Sequence, residues 1–327
     1  MTTALAMISG GLDSILAAKL VKDQGIEVIG ICFKSYFFSE ENALKIVKQI
    51  DIPLVVVDFS EEHFTMLKDP KHGYGKNMNP CIDCHAMMMR HCGDLLEKFH
   101  ANFIITGEVL NQRPMSQNRS ALDIVKNESG IGQKILRPLS AKNLNPTEME
   151  IEGLIDREAL LDIKGRNRKV QMELAEKWGI LDYPSPAGGC KLTEPSYSVR
   201  LKELLEHKED TSKKDLELLK IGRHFRITKD AKIISSRTEE EGELLEQFLT
   251  EEDLMFLPVD YNGSTIVIIG KATDKDIEFA AKVSGRYCKG KDDKLISIKY
   301  GTYGTSLDKS IDVQPATGEE INKYILN

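Results

Sequence analysis

The chain has 327 residues, 41% hydrophobic and 29% charged, with a formal net charge of −7. That length suits two domains with sizeable cores, and the composition is ordinary for a soluble globular protein. No apolar run reaches the ~18 residues of a membrane helix, and no basic region precedes the N-terminal apolar stretch as in a signal peptide. A cytoplasmic protein with no membrane partner is therefore expected. The acidic balance means that any RNA contact must use local basic patches.

In chain order, short apolar or β-branched runs predict strands at about 3–8, 27–33, 53–59 and 102–107. Helices are expected between them, at about 14–24, 40–50 and 85–99. This alternation implies an α/β fold with a doubly wound parallel sheet. A further strand is expected at 134–139. Helices follow near 156–163 and 166–178, the second closed by Gly179. Residues 180–198 hold three prolines, two glycines and Cys190, and read as a loop or linker. Beyond them, helical VRLKELLEH and KKDLELLKIG precede strand-like RHFRIT, AKIISS, DLMFLPV, STIVIIG and KLISIKY. Helical EEEGELLEQFL and DKDIEFAAKVSGRY interrupt that series. The expected domains are 1–195 and a smaller α+β domain at 199–327. There is no internal repeat.

Between the first strand and the first helix lies Ser9-Gly-Gly-Leu-Asp-Ser14. At a helix start the first backbone N–H groups have no internal partner and the dipole favours an anion. Gly10 and Gly11 let the backbone approach a phosphate, and Ser9 and Ser14 can donate hydroxyl hydrogen bonds. Asp13 would repel phosphate, so it points to a metal ion or a proton transfer. No Lys follows the glycines, which separates the string from the GxxxxGK[ST] loop. The bland alternative is a capped strand–helix turn.

The S-G-G-x-D-S string resembles the PP-loop of the N-type ATP pyrophosphatases, which adenylate a carbonyl oxygen and release pyrophosphate. Thr106-Gly-Glu108, followed by Gln112, Ser116-Gln117 and Ile135-Leu-Arg-Pro-Leu139, resembles the PP-loop domain of tRNA 4-thiouridine synthetases. The resemblance covers about residues 3–195. It implies ATP at Ser9, Gly10, Gly11, Asp13, Ser14, Phe33, Thr106, Gly107 and Gln112, with Mg²⁺, and Glu108 orienting metal or ribose. Those synthetases carry a THUMP region before the loop; here the loop begins at residue 9, and the C-terminal domain is expected to take over RNA docking.

Six cysteines occur, at 32, 81, 84, 92, 190 and 288. A reducing compartment argues against a disulfide framework. Cys81-Ile-Asp-Cys84-His85, placed before a helix, has several readings: a haem attachment motif, half a zinc site completed by His85, His91 or Cys92, a redox pair, or an inert one. With Cys190 in the glycine-flanked loop Pro186–Cys190, the pair looks like the three-cysteine arrangement of iron–sulfur-dependent tRNA thiolation enzymes. That resemblance implies a 4Fe–4S cluster on Cys81, Cys84 and Cys190. The cluster-free alternative places a persulfide on Cys190, released by Cys84 or Cys81, with sulfide or a sulfur-donor protein as source. Cys32 reads as a buried small hydrophobe. Cys92 and Cys288 read as bystanders.

Lys164, Arg166, Arg168 and Lys169 form a basic run at a helix start, where cations oppose the dipole and a phosphate partner would explain them. Arg223 and Arg226 flank His224 and Phe225, and Arg with aromatics suits unpaired bases. The segment from Gly222 to Lys291 resembles an NFACT-R-type RNA-binding domain. The expectation is ATP-dependent thiolation of a tRNA uridine, with Asp13, Cys190 and Cys84 catalytic. The alternatives are an adenylating enzyme for a small molecule and a non-catalytic RNA-binding protein. The oligomeric state is left open, a homodimer among the candidates.

Overall fold

In the computed structural model, which describes residues 2–185 and 189–327, the short apolar runs of the N-terminal half become strands of one parallel sheet. Pro186, Ala187 and Gly188 of the glycine-flanked loop lie outside the described residues, as does Met1. The chain divides into two compact units, Met1–Thr193 and Glu194–Asn327.

The first unit runs β1 (Thr3–Met7), α1 (Leu12–Lys22), β2 (Glu27–Lys34), α2 (Glu41–Ile46), β3 (Leu54–Asp58), α3 (Ser60–Lys68), α4 (Cys81–Lys98) and β4 (Phe103–Thr106). It continues with α5 (Arg119–Glu128), β5 (Ile135–Leu136), α6 (Glu148–Ile151) and α7 (Lys169–Lys177). Strand order is β3-β2-β1-β4-β5, and every pairing is parallel. The order reverses between β1 and β4, so the crevice for a ligand opens at their carboxyl ends.

Alternation along β1 sorts its side chains between two cores. Ala4 and Ala6 join Leu12, Ile15, Leu16 and Val21 of α1 on one face. Leu5 packs with Phe33, Phe59, Cys84, Cys92 and Leu96 on the other. A strand buried on both faces needs apolar residues throughout, which is why these strands read as continuous runs. Cys32 lies in the first core.

Several boundaries differ from the sequence reading. Residues 156–163 make a single 3-10 turn at Arg157–Ala159, and the strand expected at 134–139 pairs only through Ile135–Leu136. Pro138 cannot donate to a ladder, which ends the strand early. The Cys-x-x-Cys pair opens α4 itself: Cys84 N donates to Pro80 O at 2.9 Å. Helices α3 and α5 are short, with three buried residues each, which leaves little more than one apolar turn to mark them in the sequence.

The second unit contains α8 (Pro195–His207), α9 (Lys213–Leu218), β6 (Arg223–Arg226), β7 (Ala231–Ser235), α10 (Glu239–Glu246), β8 (Leu254–Pro258) and β9 (Ile266–Gly270). Then come α11 (Asp274–Arg286), β10 (Ile296–Thr302), β11 (Lys309–Val313) and α12 (Gly318–Asn322). Helix α8 thus begins inside the stretch read as linker, with Pro195 in its first turn. The six strands form an antiparallel sheet in the order β11-β10-β8-β9-β7-β6. Helix α11 covers β8 to β11, burying Ala280, Ala281 and Val283 against Phe256, Ile268 and Ile298.

Candidate active site

The loop after β1 is shaped by two close approaches. Gly10 has φ +79°, and a Cβ there would meet Ala43 N at 2.7 Å. Gly107, just past β4, lies against the start of α1, where a Cβ would meet Ser14 N at 2.5 Å. Any side chain at either position must move backbone, so the loop and the β4 end fit each other only as glycine. Ser14 Oγ donates to Gly11 O at 2.8 Å, and Ser9 N donates to Ser14 Oγ at 3.3 Å. Gly11 is the N-cap of α1 and supplies no side-chain cap. The first turn therefore presents backbone N–H groups and the dipole at the β1/β4 crevice. Thr106 is buried beside it and accepts from Glu108 N at 3.3 Å.

Asp13 sits in a polar chain. Gln112 Nε2 donates to its Oδ2 at 2.6 Å, and Gln171 Nε2 donates to Gln112 Oε1 at 3.1 Å. Arg168 Nη2 stands 3.9 Å from Asp13 Oδ1. Asp13 Oδ1, Arg168 Nε and Gln171 Oε1 are buried with no hydrogen-bond partner in the protein. These orphaned atoms fit a site where a cation or polar group completes the set. Arg168, expected among the RNA contacts, is thereby turned toward the loop carboxylate. Gln171 was missed; the available signal was one polar residue on the face shared by Leu174, Ala175 and Trp178.

Glu108 is 3% exposed and is held from two sides. Arg137 Nε donates to Oε2 at 2.8 Å, and His85 Nδ1 lies 2.8 Å from Oε1. Burial pushes its carboxyl up, but Arg137 and the His85 bond outweigh that and hold it down at about 2. The carboxylate expected to orient metal or ribose is thus committed to tying β4, β5 and α4 together. The signal for Arg137 was a cation inside the apolar run Ile135–Leu139, since a buried charge needs a partner.

The loop before α4 touches both thiol segments. Asn79 Nδ2 donates to Cys81 Sγ at 3.1 Å, and Asn77 Nδ2 donates to Thr193 O at 2.7 Å. Thr193 N in turn donates to Cys190 O at 3.0 Å. Cys84 is buried, and its thiol is pushed well up, first by that burial and then by the charges of Cys190 and Cys81. The Cys84 thiol thus lies within electrostatic range of the other two. Among the described residues no group of three or more His, Cys, Asp or Glu side chains stands at metal-holding distance. By ligand type, three soft sulfurs suit an iron–sulfur cluster or zinc; their spacing here does not close a metal site.

Phe33 is 5% exposed and packs on Phe59 at 5.3 Å between centroids, inside the apolar core. Lys164, Arg166 and Lys169 are exposed. A groove of about 640 Å³ runs along α7, lined by Arg168, Lys169, Met172, Ile180, Leu181 and Tyr183. In the second unit, Arg223 lies over the Tyr287 ring, 4.7 Å from its centroid. Arg226 instead pairs with Glu203, which also accepts from Lys232 at 2.9 Å. No helix among the described residues is long and apolar enough to cross a membrane.

A parallel 3-2-1-4-5 sheet with this loop at the reversal of strand order defines an α/β domain of the PP-loop class. Residues 1–145 match the family profile described as "Thiamine biosynthesis protein (ThiI)", and residues 222–325 that described as "NFACT protein RNA binding domain". Residues 1–145 are thus similar to a ThiI-type PP-loop domain and residues 222–325 to an NFACT-R-type domain. Among curated proteins, the chain is 26% identical over 190 residues to "tRNA-specific 2-thiouridylase MnmA" of Karelsulcia muelleri, covering 54% of this chain and 46% of that one. It is 32% identical over 146 residues to "Probable tRNA sulfurtransferase" of Thermococcus kodakarensis, covering 41% of this chain and 36% of that one. The matched stretch thus spans less than half the length of these relatives. A solved 4-thiouridine synthetase–RNA complex with bound ATP aligns with a TM-score of 0.35 at 16% identity, over 55% of this chain and 52% of that chain.

Proposed function

We propose that the chain is an ATP-dependent tRNA uridine thiolation enzyme that forms AMP and pyrophosphate. The observation that carries this reading is the glycine loop Ser9–Ser14 at the β1/β4 crevice, closed against Gly107 and holding the buried, unsatisfied Asp13 Oδ1; Cys81, Cys84 and Cys190 lie in the same unit. Residues 1–195 perform the chemistry and 199–327 dock RNA.

In this reading Ser9, Gly10, Gly11, Ser14 and the first turn of α1 hold the ATP phosphates, beside Thr106 and Gly107. Asp13, oriented by Gln112, holds Mg²⁺ or takes up a proton; Mg²⁺ there would neutralise the departing pyrophosphate. A uracil carbonyl oxygen attacks the α-phosphorus, and the bond to pyrophosphate breaks. Sulfur then bonds to the activated ring carbon, and AMP leaves with the oxygen. Cys81, Cys84 and Cys190 would hold a 4Fe–4S cluster, whose fourth iron, lacking a protein ligand, would supply a place for sulfide. Lys164, Arg166 and Lys169 draw in the RNA backbone, and the α7 groove receives the target nucleotide next to Arg168. Arg223 with Tyr287 adds a stacking surface. A cytoplasmic location goes with a tRNA substrate.

The test is oxygen-free purification with iron, sulfide and zinc analysis, then incubation with unmodified tRNA, ATP and sulfide. About four irons per chain, as for a cysteine-held cluster, and a thiouridine formed with matching pyrophosphate are expected. AMP formation indifferent to RNA, or no thionucleoside, would overturn the assignment.

A further inference from the structure

Resting on that reading, we propose that Gln171 is a positioning residue for Asp13. It acts through the side-chain amide of Gln112 and makes α7 part of the catalytic apparatus. Gln112 carries one donor end and one acceptor end, and rotation about its last bond exchanges them. Its Nε2 must face Asp13, because a carboxylate only accepts. Asp13 thereby sets that rotamer, and Gln171 Nε2, donating to Gln112 Oε1 at 3.1 Å, holds the other end of the amide in place. With Gln112 so fixed, its Nε2 reaches Asp13 Oδ2 at 2.6 Å, and Oδ1 is left with no hydrogen bond, facing Arg168 Nη2 at 3.9 Å. The three side chains thus pass one orientation from α7 to the loop.

Gln171 is poorly explained as a stabilising residue. It is 0% exposed, and α7 packs on α1 through an apolar face. Its own Oε1 has no partner, and a buried unsatisfied acceptor is unfavourable. A methionine of similar length would suit the packing better.

The test compares wild type, Gln171→Met, Gln112→Met and the double variant, each full-length and supplied with ATP and tRNA. For Gln171→Met we expect a melting temperature equal to or above wild type and an unchanged ATP dissociation constant by calorimetry. Its kcat for pyrophosphate release should fall about tenfold, as for one lost orienting hydrogen bond. The double variant should be no slower than Gln112→Met alone, because the second change acts only through the first. Wild-type kcat in Gln171→Met, or a double variant slower than Gln112→Met by the full factor, would overturn the proposal while leaving the thiolation reading in place. A wild-type protein that releases no pyrophosphate would remove both.

Discussion

Replacing Glu108 by Gln tests the buried clamp at its centre. The change keeps shape and removes the charge, stranding the Arg137 guanidinium, which is 6% exposed. Removing one partner of a buried ion pair typically destabilises by about 3–5 kcal/mol. A second route gives the same scale. The carboxyl is held near 2, against its ordinary 4.5, by Arg137 and His85 in spite of burial. That depression is worth about 3 kcal/mol at ~1.4 kcal/mol per pKa unit. For a unit of this size, ~2–4 °C of melting temperature per kcal/mol predicts a fall of roughly 6–12 °C. A depressed carboxyl contributes stability above its unfolded value and loses it as pH falls toward the folded one. The gap between wild type and Glu108→Gln should therefore be full at neutral pH and shrink between about pH 4.5 and about pH 2. The assay is thermal melting followed by circular dichroism across that range. Glu108→Gln/Arg137→Met, which removes both charges, should recover part of the loss. A single variant melting within ~1 °C of wild type at neutral pH, or a gap independent of pH, would refute the assignment of Glu108 as a buried, ionised tie.

Asp13→Ala should abolish conversion of ATP to AMP, measured by pyrophosphate release, with the melting temperature kept; normal turnover would strip Asp13 of its role. Gly107→Ala places a Cβ 2.5 Å from Ser14 N. It should weaken ATP binding and destabilise by about 1–3 kcal/mol, checked by calorimetry and melting. Cys190→Ala should stop thionucleoside formation, read by mass spectrometry of digested tRNA, and an unchanged yield would remove Cys190 from the chemistry. Arg223→Ala should weaken RNA binding and flatten its salt dependence. Arg226→Ala, which strips Glu203 of a partner, should chiefly lower the melting temperature of the second unit.

Local pattern was enough to read the alternation of strands and helices, the glycine loop ending β1 and the burial of Cys32, because each is a property of a few adjacent residues. A β-branched run buried on both faces has no polar position to spare, and a phosphate-facing turn needs glycine where backbones meet. The shortest pieces were illegible for the same reason: α3 and α5 bury only three residues each, and β5 is two residues long. The destination of each charge was equally hidden. With 29% of residues charged, the order of the chain offers many partners for any one of them. Nothing in the sequence says that Glu108 meets Arg137 and His85, that Arg168 turns to Asp13 instead of outward, or that Arg226 is taken by Glu203 while Arg223 lies on Tyr287. Such choices depend on which side chains packing leaves without water, since a buried charge must find its counter-charge wherever the fold puts one. The residue types and their spacing in the sequence determined the class of protein. The tertiary structure decided which of them face the crevice, which are spent on holding it together, and that a buried glutamine on α7 stands behind the carboxylate of the loop.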